Sequence, residues 1–181
     1  MARTWLSIRV ELVQGLGGTL WPRPGRVMAA ARTHTFAQLG TAIDDAFARW
    51  DLGHLSMFRL PDESVLHGPI RWGDPAEEHE GRFAGDVRLS GLSAGERFVY
   101  IFDMGDGWTH LCTVGKQRID PLTEIGEVPN APVPYWGWGA IPDQYGRRFD
   151  EDDGEGGPVP PDPRRTDLPP IHPGWGGRGW C

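Results

Sequence analysis

Within the stretch FDMGDGWTH, residues 102–110, stand two aspartates, Asp103 and Asp106, a tryptophan, Trp108, and a histidine, His110. A carboxylate beside an imidazole is the arrangement that orients a general base or a metal-bound histidine. It is also an ordinary pair that ties down the end of a hairpin, and the turn decides whether the two meet. Asp-Gly between two strand patterns is a strong short-range hairpin signal. If Asp106 and Gly107 are the two central turn residues, Asp103 stands opposite His110, with Cβ atoms about 4.5–5.5 Å apart. A four-residue loop over 104–107 opposes Asp103 to Trp108 and keeps His110 on the same face. A three-residue loop separates the pair, because a slip of one residue reverses the faces. No nucleophile accompanies them, so the stretch reads as a turn first.

A metal site would need a third ligand beyond Asp103 and His110. By residue type alone, Asp106, Cys112, His54 and Asp143 could supply it. No cofactor is required by any motif, and a divalent metal at Asp103 and His110 is the one candidate. The sequence holds no GxxxxGK[ST] loop, no HExxH, no GxSxG and no CxxC. None of the five serines (7, 56, 64, 90, 93) stands in a nucleophile context. Trp136, Trp138 and Tyr145 could present an aromatic surface to a ligand or a nucleic-acid base. Packing of the C-terminal region onto the domain is the plainer use of these rings.

Length and composition bound the class. A chain of 181 residues holds one domain with a sizeable core, and 39% hydrophobic with 24% charged residues is near the globular average. No run of 18 apolar residues exists, so no membrane span is expected. In MARTWLSIRVELV, Ser7, Arg9 and Glu11 interrupt the apolar residues as no secretory leader would, and the cytoplasm is the expected location. Cys112 and Cys181 fit reduced thiols in that compartment. Of the net charge of −7, residues 1–120 contribute −2 (13 basic, 15 acidic) and residues 121–181 contribute −5 (5 basic, 10 acidic). A near-neutral core offers no broad basic footprint for nucleic acid, although a local arginine patch stays possible. Seventeen arginines to one lysine fit coding bias better than phosphate recognition.

These groups need elements to hold them. Leu6, Ile8, Val10 and Leu12 alternate with polar residues, the period of a half-buried strand. RVMAA, residues 26–30, reads as a second strand returning antiparallel to it. THTFAQLGTAIDDAFARW is the clearest helix: Thr35 and Gln38 have capping-box spacing, and Phe36, Leu39, Ile43, Phe47 and Trp50 share one face. Gly40 marks close packing, and Asp44, Asp45 and Arg49 are expected on the solvated side. HLSMFRL (54–60) and VLHGPI (65–70) read as strands. Asp74-Pro75 can open a helical turn, with Glu77, Glu78 and Glu80 on a solvated surface. GERFVYIFD and WTHLCTVGK are strands apolar on both faces and hence central. Val99, Ile101 and Cys112 are expected on one face, and Phe98, Tyr100, Phe102 and Leu111 on the other. After Asp120 the texture changes, with 12 of the 17 prolines and 11 of the 26 glycines. Four tryptophans argue that PYWGWGAIPDQYGRRF (134–149) lies ordered against the domain. DEDDGEGGPVPPDPRR (150–165) reads as a flexible acidic segment, and no structure is assigned to PGWGGRGWC (173–181).

The order of these elements resembles the plasmid pRiA4b ORF-3-like family, met also as passenger proteins of insertion sequences. The family's marks are a helix ending in tryptophan, an H-L-x-x-F strand and a Y-x-[YF]-D-x-G-D-x-W-x-H hairpin. They fall on Trp50, His54, Leu55 and Phe58, then on Tyr100, Phe102, Asp103, Gly105, Asp106, Trp108 and His110. The likeness spans roughly residues 4–120. Where the family carries a Pro-Pro-Glu-Asp segment after the hairpin, this chain has GAIPDQYGRR, matching only at Pro142 and Asp143. The resemblance implies an α+β fold: an antiparallel sheet with one main amphipathic helix packed on it, followed here by a Pro/Gly/Trp-rich C-terminal arm. The domain is expected over 1–149 and an acidic extension over 150–181.

The resemblance brings a mobile-element association and little biochemistry. The resolvase label sometimes given to such passengers finds neither a serine-recombinase motif nor a tyrosine-recombinase set here. Three readings remain. The first is a non-catalytic binding or interaction domain of unknown partner. The second is a metal-assisted hydrolase using Asp103 and His110, and the third a DNA-associated accessory protein.

Overall fold

A computed structural model describes residues 5–69 and 81–147. In chain order its elements are β1 (Trp5–Gly15), β2 (Gly18–Thr19), β3 (Gly25–Ala31), α1 (Phe36–Ala46), β4 (Ser56–Arg59), β5 (Val65–His67), β6 (Arg82–Phe83), β7 (Arg97–Phe102), β8 (Trp108–Arg118), α2 (Pro121–Glu124) and β9 (Val133–Trp138). The strands form one open sheet in the order β6-β5-β4-β7-β8-β1-β3-β9, with β2 attached to β1. Every pairing is antiparallel except β5 with β6. The α+β class therefore holds, with α1 as the main helix. No helix among the described residues is long and apolar enough to cross a membrane.

The alternation in β1 buries Leu6, Ile8, Val10 and Leu12 beneath α1, and β3 returns antiparallel as its pattern requires. Thr35 caps α1: its hydroxyl accepts from Gln38 N–H at 3.2 Å, while Thr35 N–H donates to Gln38 Oε1 at 2.9 Å. Such a cap stabilises a helix by about 1 kcal/mol. Gly40 lets the helix approach the sheet, since a Cβ there would meet the Tyr100 ring at 3.2 Å and the Phe58 ring at 3.4 Å.

The end of α1 departs from the sequence reading. The helix stops at Ala46, and Ala48 takes a left-handed φ of 54°. Trp50 thereby leaves the apolar face and stays 36% exposed. Asp44 and Arg49, expected in solvent, are buried, while Asp45 is exposed as expected. Asp44 accepts the Tyr100 hydroxyl at 2.9 and 3.0 Å, and Arg49 donates to Pro142 O at 3.2 Å. Helical periodicity counted on past residue 46 assigned Arg49 to a face that the chain no longer has.

Strands β7 and β8 are central, flanked by β4 and β1. Their register pairs Phe98 with Cys112, Tyr100 with His110 and Phe102 with Trp108. Cys112 therefore shares the buried face of Phe98, Tyr100 and Phe102, and Leu111 joins Val99 and Ile101 on the opposite face. This is the reverse of the sequence assignment. The connection holds five residues, 103–107, where the face assignment required a two- or four-residue turn, and an odd change in loop length exchanges the faces.

The tryptophan-rich stretch adds β9 to the edge of β3. Trp138 lies over Gly25, where a Cβ would come within 2.1 Å of its ring, and its indole N–H donates to Arg23 O at 2.8 Å. Residues 134–147 thus pack on the domain, and residues 148–149 of that stretch lie outside the described residues. The turn proposed at Asp74-Pro75 with Glu77, Glu78 and Glu80, and the segments 150–165 and 173–181, lie outside the described residues.

Candidate functional site

The hairpin motif is organised by Asp103, which leaves β7 with a left-handed φ of 56°, a conformation aspartate tolerates better than most residues. Its N–H donates to Leu55 O at 2.8 Å, and its carbonyl accepts Gly107 N–H at 2.7 Å. Its Oδ1 accepts the N–H groups of Gly105 and Asp106 at 3.0 and 3.3 Å, while Oδ2 lies 3.1 Å from His54 Nδ1. The histidine paired with Asp103 is therefore His54, not His110. Asp103→Ala should cost about 2–3 kcal/mol in urea melts, because two turn N–H groups and the His54 ring lose their acceptor at a strained position. Asp103→Asn, which can still cap the turn, should cost about half as much.

His54 stands at the centre of a small polar cluster, its side chain 31% exposed. Its Nε2 is 2.6 Å from the Tyr145 hydroxyl and 3.5 Å from Asp51 Oδ2. Tyr145 also donates to Asp51 Oδ2 at 3.0 Å, and Gly53 N–H donates to Asp51 Oδ1 at 3.1 Å. The Gly53 N–H bond, followed by Tyr145 and His54, holds the Asp51 carboxyl below its usual range. Burial and the bond to Asp51 push the Tyr145 phenol up to about 12, so it acts as a neutral donor at pH 7 rather than an activated nucleophile. Three sequence candidates, His54, Asp103 and Tyr145, thus meet, joined by Asp51, which the sequence reading passed over. The available signal was WDLGH, an aspartate three residues before a histidine in a stretch broken by glycine.

Asp143 anchors the neighbouring contacts. It accepts Trp50 Nε1–H at 3.1 Å, the N–H groups of Tyr145 and Arg147 at 3.1 and 2.7 Å, and Arg147 Nε–H at 3.1 Å. The Arg147 guanidinium lies 3.8 Å from the Trp50 ring centroid. Gln144 binds the same loop from both ends of its amide: Oε1 accepts Trp50 and Asp51 N–H at 3.0 and 3.1 Å, and Nε2 donates to Asp51 O at 2.9 Å. Residues 142–147 are thereby clamped to the loop after α1. Asp143 serves as an acceptor in this clamp.

His110, Trp108 and Cys112 lie beneath this rim with no exposed surface. Arg49 stacks on Trp108, its Cζ 3.9 Å from the ring centroid, and Gly15 abuts the same ring, where a Cβ would fall at 2.1 Å. Burial holds the Arg49 guanidinium down to about 10 against the opposing pull of Asp44 and Asp143. Burial and the Arg49 charge together press His110 down to about 3, so its ring is neutral at pH 7. Its Nδ1 donates to Tyr100 O at 3.3 Å. Burial also drives the Cys112 thiol upward, which leaves it inert. Among the described residues, no three His, Cys, Asp or Glu side chains are grouped so as to hold a metal ion.

The aromatic candidates separate into two places. Tyr145 packs edge-on against Trp50, with centroids 5.2 Å apart. Trp136, half exposed, neighbours Trp138 at 5.6 Å on the sheet edge, and Arg9 lies 4.3 Å over the Trp138 ring. Asp106, the last hairpin candidate, is half-buried, and its carboxylate makes no hydrogen bond or ion pair among the described residues. Burial and the nearby charge of Asp103 raise its carboxyl above the usual range, while His54 opposes them.

Comparison with known proteins supports the fold. A family model described as plasmid pRiA4b ORF-3-like protein matches residues 10–131. Among solved structures, a protein of unknown function from Methanosarcina mazei Go1, MM3350, matches with a TM-score of 0.54 at 18% identity. The match covers 74% of this chain and 70% of that one. No curated protein matches the chain.

Proposed function

The chain belongs to the plasmid pRiA4b ORF-3-like family, and from that premise we propose that it is a non-catalytic binding or interaction domain. The observation that carries this reading is how the candidate catalytic groups are used. Asp143, Gln144, Tyr145, Asp51 and His54 hold one part of the chain to another, and His110 is sealed in the core as a neutral ring. A general base must reach a substrate proton with a partner that orients it. His54, a half-buried imidazole, has carboxylate or phenol oxygens at both ring nitrogens.

The test is a hydrolysis panel of phosphodiester and ester substrates with Mg²⁺, Mn²⁺ or Zn²⁺, run on the wild type and His54→Ala. Neither protein should turn over substrate above buffer, and the variant should melt at lower temperature. Metal-dependent turnover that disappears in His54→Ala at unchanged melting temperature would replace this reading with a hydrolase.

A second reading, contact with nucleic acid, is favoured by Trp136 and Trp138 beside Arg9 on the sheet edge. Base stacking on tryptophan with a neighbouring cation is a sequence-tolerant mode of single-strand binding. A mobility shift at low salt that Trp136→Ala weakens at least fivefold would support it. A flat titration would remove it.

A further inference from the structure

We propose that the glycine-walled groove between the β1–β2 and β7–β8 hairpin tips binds the guanidinium of an arginine side chain in an extended partner polypeptide, with Asp106 as its counter-charge. The proposal deepens the binding-domain reading and rests on it. The groove has a volume of about 240 Å³, and five of its eight lining residues are glycines, contributed by both hairpins. The other three are Gln14, Thr19 and Asp106, whose side chains make no hydrogen bond among the described residues. Leu16 N–H donates to Asp106 O at 2.8 Å, which fixes the two tips against each other. Leu16 and Met104, each about half exposed, place apolar surface on the same tips.

The occupant follows from the chemistry of the walls. Glycine leaves a flat backbone surface, and a planar guanidinium is the cation that lies flat and is weakly hydrated. A carboxylate accepts two parallel N–H bonds from it, and Gln14, Thr19 and backbone carbonyls can accept the remaining donors. Asp103 next to Asp106 makes the tip locally negative, so an arriving cation relieves a like-charge contact. Among the described residues β2 pairs only with β1, which leaves the outer edge of Gly18–Thr19 open to an extended main chain. That edge selects an arginine within a polypeptide over the free amino acid.

The experiment is an amide-shift NMR titration of the full chain with acetyl-Val-Arg-Val-amide, its citrulline and lysine counterparts, and free L-arginine. The arginine peptide should shift the Gly17, Gly18, Gly105 and Gly107 amides saturably. The citrulline peptide should bind at least tenfold more weakly, and the lysine peptide and free arginine at least fivefold more weakly. Asp106→Asn, which keeps the carbonyl used by Leu16, should erase the arginine-over-citrulline preference while the remaining spectrum is preserved. Gly18→Val, at a position where a Cβ has nothing nearer than Gly15 O at 4.0 Å, should narrow the groove and weaken binding by a similar factor. Equal binding of the arginine and citrulline peptides, equal binding by the lysine peptide or by free arginine, or an unchanged preference in Asp106→Asn would overturn the assignment. Absence of any shift would also overturn it, while the binding-domain reading would still be judged by the hydrolysis panel.

Discussion

Trp108→Ala is expected to lower the unfolding free energy by about 3–5 kcal/mol, the usual range for deleting a buried large aromatic ring. Trp108 has no exposed surface and ends the buried row that runs along β8 through His110 and Cys112. It also abuts Gly15, which lacks a Cβ where the ring passes, and supports the stacked Arg49. Losing the ring removes apolar burial and a desolvated cation–π contact worth about 2 kcal/mol. It also strands a buried guanidinium. The penalty should therefore contain a part that belongs to Arg49. In urea melts followed by circular dichroism, Arg49→Met in the Trp108→Ala background should restore about 1 kcal/mol or more. A loss below about 1 kcal/mol for Trp108→Ala itself would contradict this packing.

The second large effect is on pH. The His110 imidazole is held at about 3 in the folded protein against 6.5 ordinarily, so between these values the unfolded chain binds the extra proton. Stability is then fully present above the unfolded value and is lost as pH falls toward the folded one. The slope approaches about 1.4 kcal/mol per pH unit. Shifted carboxyls act lower on the scale. Asp51, held low, adds to the acid loss as pH drops through its depressed value, and Asp106, held high, acts in the opposite sense. Burial holds the His34 imidazole down as well, so the window from about pH 6 to pH 5 reports the two histidines together, with His110 the more strongly shifted. Urea midpoints measured across it should fall steadily for the wild type, and His110→Gln should make that fall distinctly shallower, leaving the His34 contribution. A wild-type profile that is already flat there would refute the buried, neutral ring.

The parts of this molecule that were legible in the sequence are those set by local repetition. The alternation of Leu6, Ile8, Val10 and Leu12, the Thr35–Gln38 cap and the apolar faces of β7 and β8 are each written within a few residues. The departures arise at chain reversals. The faces of Cys112 and Leu111 depended on the length of one loop, and Asp103 lengthens that loop by turning out of β7 in a left-handed conformation. The Asp103–His110 pair vanished for the same reason. His54 replaces it from a segment about fifty residues earlier, a distance over which no local pattern carries information. At the end of α1, Ala48 turns the chain so that Arg49 points inward onto Trp108. His54 stood in the H-L-x-x-F mark, Asp143 in a partial match and Tyr145 in an aromatic stretch, with no local signal that they meet. Their assembly depends on β9 joining β3, a pairing that brings residues 142–147 across to the loop after α1.

Backbone amide hydrogen exchange in Asp143→Ala tests most directly whether the polar groups of this rim form a clamp rather than a reaction centre. The amides of Tyr145 and Arg147, which donate to Asp143, and those of Trp50 and Asp51, which donate to Gln144, should exchange at least tenfold faster together. Amides within β8 should keep their protection. Acceleration confined to Tyr145 and Arg147, with Trp50 and Asp51 unaffected, would contradict the clamp and return these side chains to the search for chemistry.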